Sequence, residues 1–528
     1  MNLYLRKNLP FVLIFIFLVI IFTILNNLFS IRFEENDDVA MLLISSGKYS
    51  NTPDNHLVFI NFIFGSLLNV FYYFSSEIEW YTISLVFLNT ISISLIANFI
   101  FKSSYSIIFK IFLLFFLLSI FINLSILLQF TRTASILALA GLSIIYNTKH
   151  KYIGTLIFTI GTLIRFEAAI LIFLISSPLF LLPTRKLKDY FYDKNFRVII
   201  LTIVISFICK AADYAYYYTD PEWKNFMEYN KLRGKINDNP NIKSYNFDLP
   251  EDVLLEDFQL LVDASTNPSA ITYSKLEKIY QSIDKRSFRQ KLSNSKITFY
   301  RYNYFIILLI FITFLIFYHN KKQRLKILLI FSLFGTALIY ISLNASVKPR
   351  VFFPAFFSVI LFLIYLNEKR GIEIINLTLL ALILGFSSYI LHYSYRKERS
   401  NEILNKTFIK QSALINEYLI SNNKLIPFGA AYRVELGNPF CLSTTFPSQS
   451  ILFLGWFTHI PFHKDKLDSF SYFIDGYGLL VTTRNAEDAK NLISSSILKN
   501  NNIKVTPYLI SDEQNISIIE FRTNLSIK

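Results

Sequence analysis

Long apolar runs separated by short polar connections dominate the first three quarters of the chain. A helix needs roughly 20 mainly apolar residues to cross the hydrocarbon core of a bilayer. The runs predict eleven membrane-spanning helices, near residues 9–30, 81–101, 106–128, 133–146, 152–164, 168–183, 198–218, 303–318, 327–344, 351–366 and 373–392. This pattern is typical of a polytopic α-helical membrane protein.

Basic residues fall in the short connections between these runs, where they orient a membrane protein. They are Arg6 and Lys7, Lys102, and the clusters within 149–151, 185–188, 321–324 and 369–370. Eleven alternating crossings place every one of them on the cytoplasmic side. We therefore predict a multi-pass protein of the cell (inner) membrane, with a cytoplasmic N-terminus and an extracytoplasmic C-terminus.

A further apolar run, 57–74, is long enough to be a twelfth crossing. If it crossed, every basic cluster from Lys102 onward would lie outside, whereas basic residues beside membrane spans favour the cytoplasmic side. Asn61, Gly65 and Asn69 also recur every four residues and give one helical face a polar stripe. We therefore predict a helix over 57–74 that lies in, or dips into, the outer interface.

Two polar regions are predicted to face outward. Residues 219–300 are too long for a simple connection, and insertions of this length are often lids or binding loops. After a membrane domain over 1–392, residues 393–528 predict a small extracytoplasmic α/β domain with a partly parallel sheet. Its predicted strands are 425–428, 451–456, 478–483, 503–510 and 516–521, and its predicted helices are 399–421 and 485–499. The predicted fold class is mainly α.

Composition agrees with a membrane protein, since 53% of the 528 residues are hydrophobic and only 17% are charged. The net charge of +15 lies largely in the short connections, so nucleic acid is not an expected partner. The two cysteines and six histidines show no metal-ligand spacing.

An acidic loop over 31–56 follows the first predicted span. It contains Glu34, Glu35, Asp37 and Asp38. Asn36 is a good N-cap for a short helix over 39–45, and Gly47 is well placed to end that helix. Asp37 and Asp38 then fall in the first turn, where the helix dipole keeps carboxylates ionised. Such a pair suits a general base, a ligand for Mg²⁺ or Mn²⁺, or both. Plain capping of an interfacial helix is the alternative.

Cations at the ends of other predicted spans face the same side. They are Arg132, Arg165, Lys348 and Arg350. Arginine suits bidentate phosphate recognition, although span-end cations also reach the interface without any ligand. For Arg165, an ion pair with Glu167 or with an aspartate is an equal alternative. A carboxylate base opposite such cations predicts attack of a hydroxyl on a sugar carried by a polyprenyl phosphate.

The chain resembles the GT-C superfamily of polytopic glycosyltransferases, in particular bacterial members that modify surface polysaccharide. The resemblance rests on FEENDDVAMLLISSGKYSNTPDNH, EIEWY, GTLIRFEA and KPRVFFP. It implies that Asp37 or Asp38 is the catalytic base, that the donor is a polyprenyl-phosphate-linked sugar, and that a divalent metal is needed in some members. A glycan or lipid acceptor and membrane lipids complete the expected partners. The candidate substrate-binding residues are Glu34, Glu35, His56, Arg132, Arg165, Lys348 and Arg350.

Two other functions stay open from the sequence. A flippase or O-antigen polymerase-like protein of the same pathway would place charges within its spans, as Lys210 and Asp213 are placed. A non-enzymatic scaffold would leave the acidic loop unexplained. In the C-terminal region, Trp456, His459 and His463 suit glycan binding or, more simply, packing.

Overall fold

The structure is a computed structural model of the whole chain. It describes residues 3–181, 193–239, 242, 248–262, 271–283, 300–345, 347–367, 373–422, 425–427, 434–442, 453, 455–457, 459–463, 478–482, 486–501, 504–513 and 516–523. The basic clusters within 185–188 and 369–370 lie outside the described residues.

Helices make up most of the described chain, as the sequence predicts. They are α1 (Leu3–Leu28), α2 (Asn36–Ser45), α3 (Phe62–Phe74), α4 (Trp80–Lys102), α5 (Ile107–Ile126), α6 (Phe130–Asn147), α7 (Lys151–Ile164), α8 (Phe166–Leu181), α9 (Lys194–Thr219), α10 (Pro221–Asn237), α11 (Leu255–Val262), α12 (Tyr273–Ile283), α13 (Asn303–His319), α14 (Arg324–Asn344), α15 (Pro349–Asn367), α16 (Glu373–Asn422) and α17 (Ala486–Asn501).

Each predicted apolar span overlaps a helix. Within the described residues, six helical segments are long and apolar enough to cross a membrane. They are Leu9–Leu28, Trp80–Lys102, Ile107–Ile126, Lys194–Thr219, Lys321–Asn344 and Pro349–Leu366. The chain is therefore a mainly α protein with several helices of membrane-spanning character, and the count of eleven crossings stays a prediction.

Helix α6 lies at the centre of the helical bundle, with every residue from Phe130 to Ser143 buried. It packs on α7 through glycines. A Cβ atom at Gly141 would lie 2.7 Å from the carbonyl oxygen of Gly154, and one at Gly161 would lie 2.9 Å from that of Ala134. Small residues let membrane helices approach to backbone contact, which explains how this short hairpin packs.

The acidic loop is held against the bundle by a short parallel pair of strands, β1 (Arg32–Phe33) and β2 (Leu127–Leu128). Helix α2 then begins at Asn36, so the prediction of Asn36 as N-cap is wrong. The N-cap is Glu35, which has an extended backbone and no side-chain capping bond. Gly47 follows the helix with a φ of 76°, the left-handed conformation that often follows a helix end.

The run 57–74 is helical only from Phe62, with Asn61 as its N-cap. Its polar stripe faces the protein. The Asn61 side chain donates to Cys209 O at 2.9 Å, and a Cβ at Gly65 would lie 2.7 Å from Asn55 O. The opposite face is apolar and exposed at Leu67, Val70 and Phe74. Thirteen residues span only about 20 Å, less than a bilayer core, and the interfacial position stays a prediction.

The large loop after α9 forms a small helical unit from α10, α11 and α12. Tyr229, Phe258 and Ile279 are among the residues that share its buried core. It also contacts the C-terminal region, because Ser496 on α17 donates to Asp257 at 2.6 Å and Lys499 pairs with Glu256 at 2.6 Å. The two predicted outward regions therefore lie on one side of the molecule.

The C-terminal region contains a four-stranded sheet in the order β3 (Leu425–Pro427), β4 (Gly478–Thr482), β6 (Ile516–Thr523), β5 (Val505–Glu513). Strands β3 and β4 are parallel and the other pairs are antiparallel, which confirms a partly parallel sheet. The predicted strand 451–456 is wrong over its described part. Gly455 has a φ of 82° and opens a 3₁₀ turn there. Helix α16 runs without a break through the predicted boundary at 392/393, and a separate domain stays a prediction.

Candidate functional site

Glu34 and Arg132 form a buried ion pair beneath the acidic loop. Nη2 of Arg132 donates to Oε1 of Glu34 at 2.8 Å, and Nη1 donates to Asn123 at 2.9 Å. Arg132 is only 2% exposed. Strand β1 fixes Glu34, whose backbone N–H donates to Leu128 O at 2.9 Å. These two predicted site residues therefore bind each other and lie away from solvent.

Asp38 is fully buried against two neighbouring helices. Its Oδ1 accepts the hydroxyl of Tyr81 at 2.9 Å and the backbone N–H of Phe130 at 3.0 Å, while Oδ2 has no hydrogen-bond partner among the described residues. Burial raises the pKa of Asp38 well above its usual value. Asp38 therefore joins α2 to α4 and α6 through its bonds to Tyr81 and Phe130, and it is closed to solvent.

Asp37 precedes Asp38 by one residue and points about 100° away around the helix. Its side chain is 20% exposed, and it accepts no hydrogen bond from any described residue. Burial raises its pKa, while the charges of Arg350, Arg165 and Arg233 act in the opposite direction. Asp37 thus combines an available lone pair with a proton affinity above that of an ordinary aspartate.

Arg350 stands over both carboxylates at the start of α2. Its Nη1 lies 3.1 Å from Oε1 of Glu35 and 3.9 Å from Oδ2 of Asp37. Burial raises the pKa of Glu35, against the opposing charges of Arg350 and the exposed Lys348. Arg350 occupies the first turn of α15, where the helix dipole disfavours a cation. Helix stability therefore gives no reason for an arginine at this position.

Arg165 lies between α7 and α8 and contributes a third cation. Its Nε is 3.1 Å from Glu167, so the ion pair predicted as an alternative is present. The guanidinium also lies over the rings of Phe59 and Phe130, at 5.5 and 5.8 Å. Its positive charge still acts on Asp37, and its side chain is 31% exposed.

Arg233 on α10 is a site residue that sequence reasoning missed. It donates to Oδ1 of Asn230 from Nε at 3.2 Å and from Nη2 at 3.0 Å. Burial lowers its pKa, and the negative charge of Asp37 opposes that effect. Nothing in the local sequence separates it from the neighbouring lysines. We define the Asp37 cluster as Glu35, Asp37, Arg165, Arg233, Lys348 and Arg350.

The predicted metal site does not fit these side chains. Asp37 and Asp38 point in different directions. Asp38 accepts a hydrogen bond from Tyr81, and the guanidinium of Arg350 lies beside Asp37. Among the described residues, no group of three His, Cys, Asp or Glu side chains is placed to hold a metal ion. The two aspartates therefore do not form a Mg²⁺ or Mn²⁺ pair in this conformation.

An apolar cavity opens beside Arg132, between α5, α6, α15 and α16. Ile120, Leu124 and Phe357 are among its apolar lining residues, and Asn123 and Arg132 supply polar atoms. Phe353 and Pro354 also line it, and they lie one helical turn after Arg350. The cavity therefore begins one turn below the Asp37 cluster.

His56 lies apart from the Asp37 cluster. Its ring contacts Asp54, Tyr216 and Trp223, and no hydrogen bond, ion pair or ring contact joins it to the cluster within the described part of the chain.

The three aromatic residues singled out near residue 460 pack against the protein. Trp456 is 8% exposed and contacts Phe59, and His459 packs on Tyr229. His463 is hydrogen-bonded to the hydroxyl of Tyr49 at 2.6 Å. Packing is therefore the role that their positions support.

Comparison of the chain with protein-family models, with curated proteins and with solved structures found no match.

Proposed function

We propose that this chain is a membrane glycosyltransferase that moves a sugar from a polyprenyl-phosphate donor to a cell-surface glycan or lipid acceptor on the outer face of the membrane. The observation that carries the proposal is Asp37, a carboxylate without hydrogen bonds from the described residues. It lies 3.9 Å from Arg350, and the charges of Arg165 and Arg233 also act on it. The structure favours Asp37 over Asp38 as the base, because Asp38 is buried and occupied.

The charge of the Asp37 cluster suits an anionic group. Glu34 pairs with Arg132, and Glu167 pairs with Arg165. Arg350, Arg233 and Lys348 remain as the cations that act on Asp37 and Glu35. Arginines in a partly apolar site stay charged and bind phosphate through two parallel hydrogen bonds. A phosphate bound here would contact these cations beside the base.

The proposed reaction balances in one step. The acceptor hydroxyl oxygen attacks the anomeric carbon and its proton passes to a carboxylate oxygen of Asp37. The bond from that carbon to the phosphate oxygen breaks, and its electron pair leaves with the phosphate. Arg350, Arg165 and Arg233 stabilise the charge that develops there. Glu35 holds Arg350 in place from the other side. No step uses a metal.

The apolar cavity supports a lipid-linked donor. A polyprenyl chain needs an apolar surface close to the phosphate site, and the cavity wall begins one turn from Arg350.

The transport alternative loses its main support. Lys210 pairs with Asp213 at 3.5 Å, and Asp213 also accepts the backbone N–H of Phe62 at 3.0 Å. These charges anchor the start of α3 to α9, which is a structural role.

The test compares Asp37→Asn with Asp38→Asn in membranes that are supplied with a radiolabelled polyprenyl-phosphate sugar. Loss of a general base costs about 10²–10⁴-fold in rate, so Asp37→Asn should lose at least about 100-fold in transfer. Asp38→Asn is the matched control, because an amide oxygen keeps both hydrogen bonds of the buried acid. Full transfer by Asp37→Asn would exclude Asp37 as the base.

A further inference from the structure

The imidazole of His56 is clamped between aromatic rings. On one face Trp223 stacks at 4.2 Å with an interplanar angle of 3°. On the other face Tyr216 stacks at 4.8 Å and 27°, and Tyr217 meets the ring edge-on at 5.4 Å. Both faces of the ring are therefore covered, and only its edge is open to a ligand.

Asp54 fixes the orientation of that edge. Its Oδ1 accepts both the backbone N–H and Nδ1 of His56, each at 2.7 Å. A carboxylate on Nδ1 makes that nitrogen the proton donor, so Nε2 carries the lone pair in the neutral ring. Among the described residues, Nδ1 is the only ring nitrogen of His56 that makes a hydrogen bond, and the side chain is 17% exposed.

The backbone around His56 is held in an uncommon conformation. Val58 has a φ of 63°, which a β-branched residue rarely adopts, and its N–H donates to the hydroxyl of Tyr217 at 2.7 Å. Asn55 accepts the hydroxyl of Tyr216 at 2.7 Å. Strain of this kind persists only where the surroundings fix it, and it concentrates at functional sites.

The two ring nitrogens of His56 differ in their surroundings. Here one nitrogen is oriented by an acid that is itself 26% exposed, and the other is left available at the surface. An imidazole acceptor framed by tyrosine and tryptophan edges matches a hydroxyl-bearing ligand, because the site supplies one oriented polar atom within an aromatic wall.

We propose that His56, oriented by Asp54, forms a second binding site in which Nε2 accepts a hydrogen bond from a hydroxyl of the acceptor, and that the acceptor is therefore a saccharide. This assignment rests on the proposed transferase function for the kind of ligand. In this assignment His56 binds the acceptor, and Asp37 remains the proposed base.

Trp223 gives a direct readout of this site. The chain has three tryptophans, so the double variant Trp80→Phe/Trp456→Phe leaves Trp223 as the sole indole, in contact with His56. Purified full-length protein is titrated with a panel of hexoses and N-acetylhexosamines. We expect at least one sugar to change Trp223 emission saturably. We expect no response after His56→Phe, which keeps a stacked ring and removes Nε2. His459→Phe is the matched control and should respond fully.

No saturable response to any sugar, or a response that survives His56→Phe, overturns the proposal. The titration is repeated with Asp37→Asn, where we expect the response to persist. If Asp37→Asn transfers sugar normally while Trp223 still responds, the proposed base fails and the binding site stands.

A kinetic measurement supports the titration. Loss of one hydrogen bond should raise the acceptor KM about tenfold in His56→Phe and leave the donor KM unchanged. A change in the donor KM alone overturns the assignment.

Discussion

The Nη1 atom of Arg350 lies 3.9 Å from Oδ2 of Asp37 and makes no hydrogen bond to it. The cation is close enough to act on the charge of the carboxylate and leaves its lone pairs available. A base beside a phosphate site needs both properties, because it must accept a proton while a neighbouring anion forms.

Replacing Arg350 should weaken the use of the donor more than the fold. A charge-assisted hydrogen bond contributes about 1.5–3 kcal/mol, so Arg350→Ala should lower kcat/KM for the lipid-linked donor about 10- to 150-fold. Arg350→Lys keeps the charge but not the paired donors and should recover only part of this loss. Steady-state kinetics at varied donor concentration measure it, and an unchanged kcat/KM in Arg350→Ala would remove Arg350 from the site.

The pH profile of transfer should show the raised pKa of Asp37. The base must be ionised, so the rate should fall as pH decreases through a value above that of an ordinary aspartate. Arg350 lowers this pKa, so Arg350→Gln should shift the acidic limb to higher pH. Initial rates across the acidic range test both. A shift to lower pH in Arg350→Gln would contradict the electrostatic assignment.

Asp38 should make the protein less stable as pH rises. Its folded pKa is above its unfolded value, so the folded state binds the extra proton. That stabilisation is present below the unfolded pKa and is lost as pH increases through the folded pKa. Asp38→Asn cannot ionise, so it should abolish this part of the pH dependence and keep the bonds to Tyr81 and Phe130. Thermal unfolding in detergent at several pH values compares the two proteins. Identical pH dependence would mean that Asp38 is not the titrating group.

The Glu34–Arg132 pair should show strong energetic coupling. Removing one partner of a buried ion pair leaves an uncompensated charge and costs about 3–5 kcal/mol. Arg132→Met and Glu34→Gln should each destabilise the protein, and the double variant should cost less than their sum. Unfolding of all four proteins in detergent gives the coupling. Additive effects would show that the two side chains act independently.

Reporter fusions test the predicted orientation. A reporter placed after Ser75, at the end of α3, should be extracytoplasmic, and one placed after Lys151, at the start of α7, should be cytoplasmic. The reversed result would mean that the run 57–74 crosses the membrane. The proposed site would then face the cytoplasm, where nucleotide sugars are available.

Hydropathy located the helices of the bundle because burial in lipid or protein requires long apolar runs. The capping pattern placed Asp37 and Asp38 in the first turn of α2, where the structure has them. The local pattern could not tell which of the two faces solvent, since that depends on Tyr81 and Phe130, far away in the chain.

Long-range contacts explain the other differences. Arg233 joins the cluster only because the fold brings its charge within reach of Asp37, and its neighbours in sequence are those of an ordinary basic helix surface. The run 451–456 is short and apolar, a pattern that strands share with buried turns. Gly455 has a left-handed backbone conformation, and the structure has a turn there in place of a strand.

Helix α16 contains 50 residues and is therefore about 75 Å long, more than twice the roughly 30 Å thickness of a bilayer core. Its distal half meets the C-terminal region through Asn405, which donates to Leu436 O at 3.0 Å. A single residue inserted before this contact would rotate everything beyond it by about 100° and advance it by about 1.5 Å. Homologous chains should therefore conserve the length of this stretch.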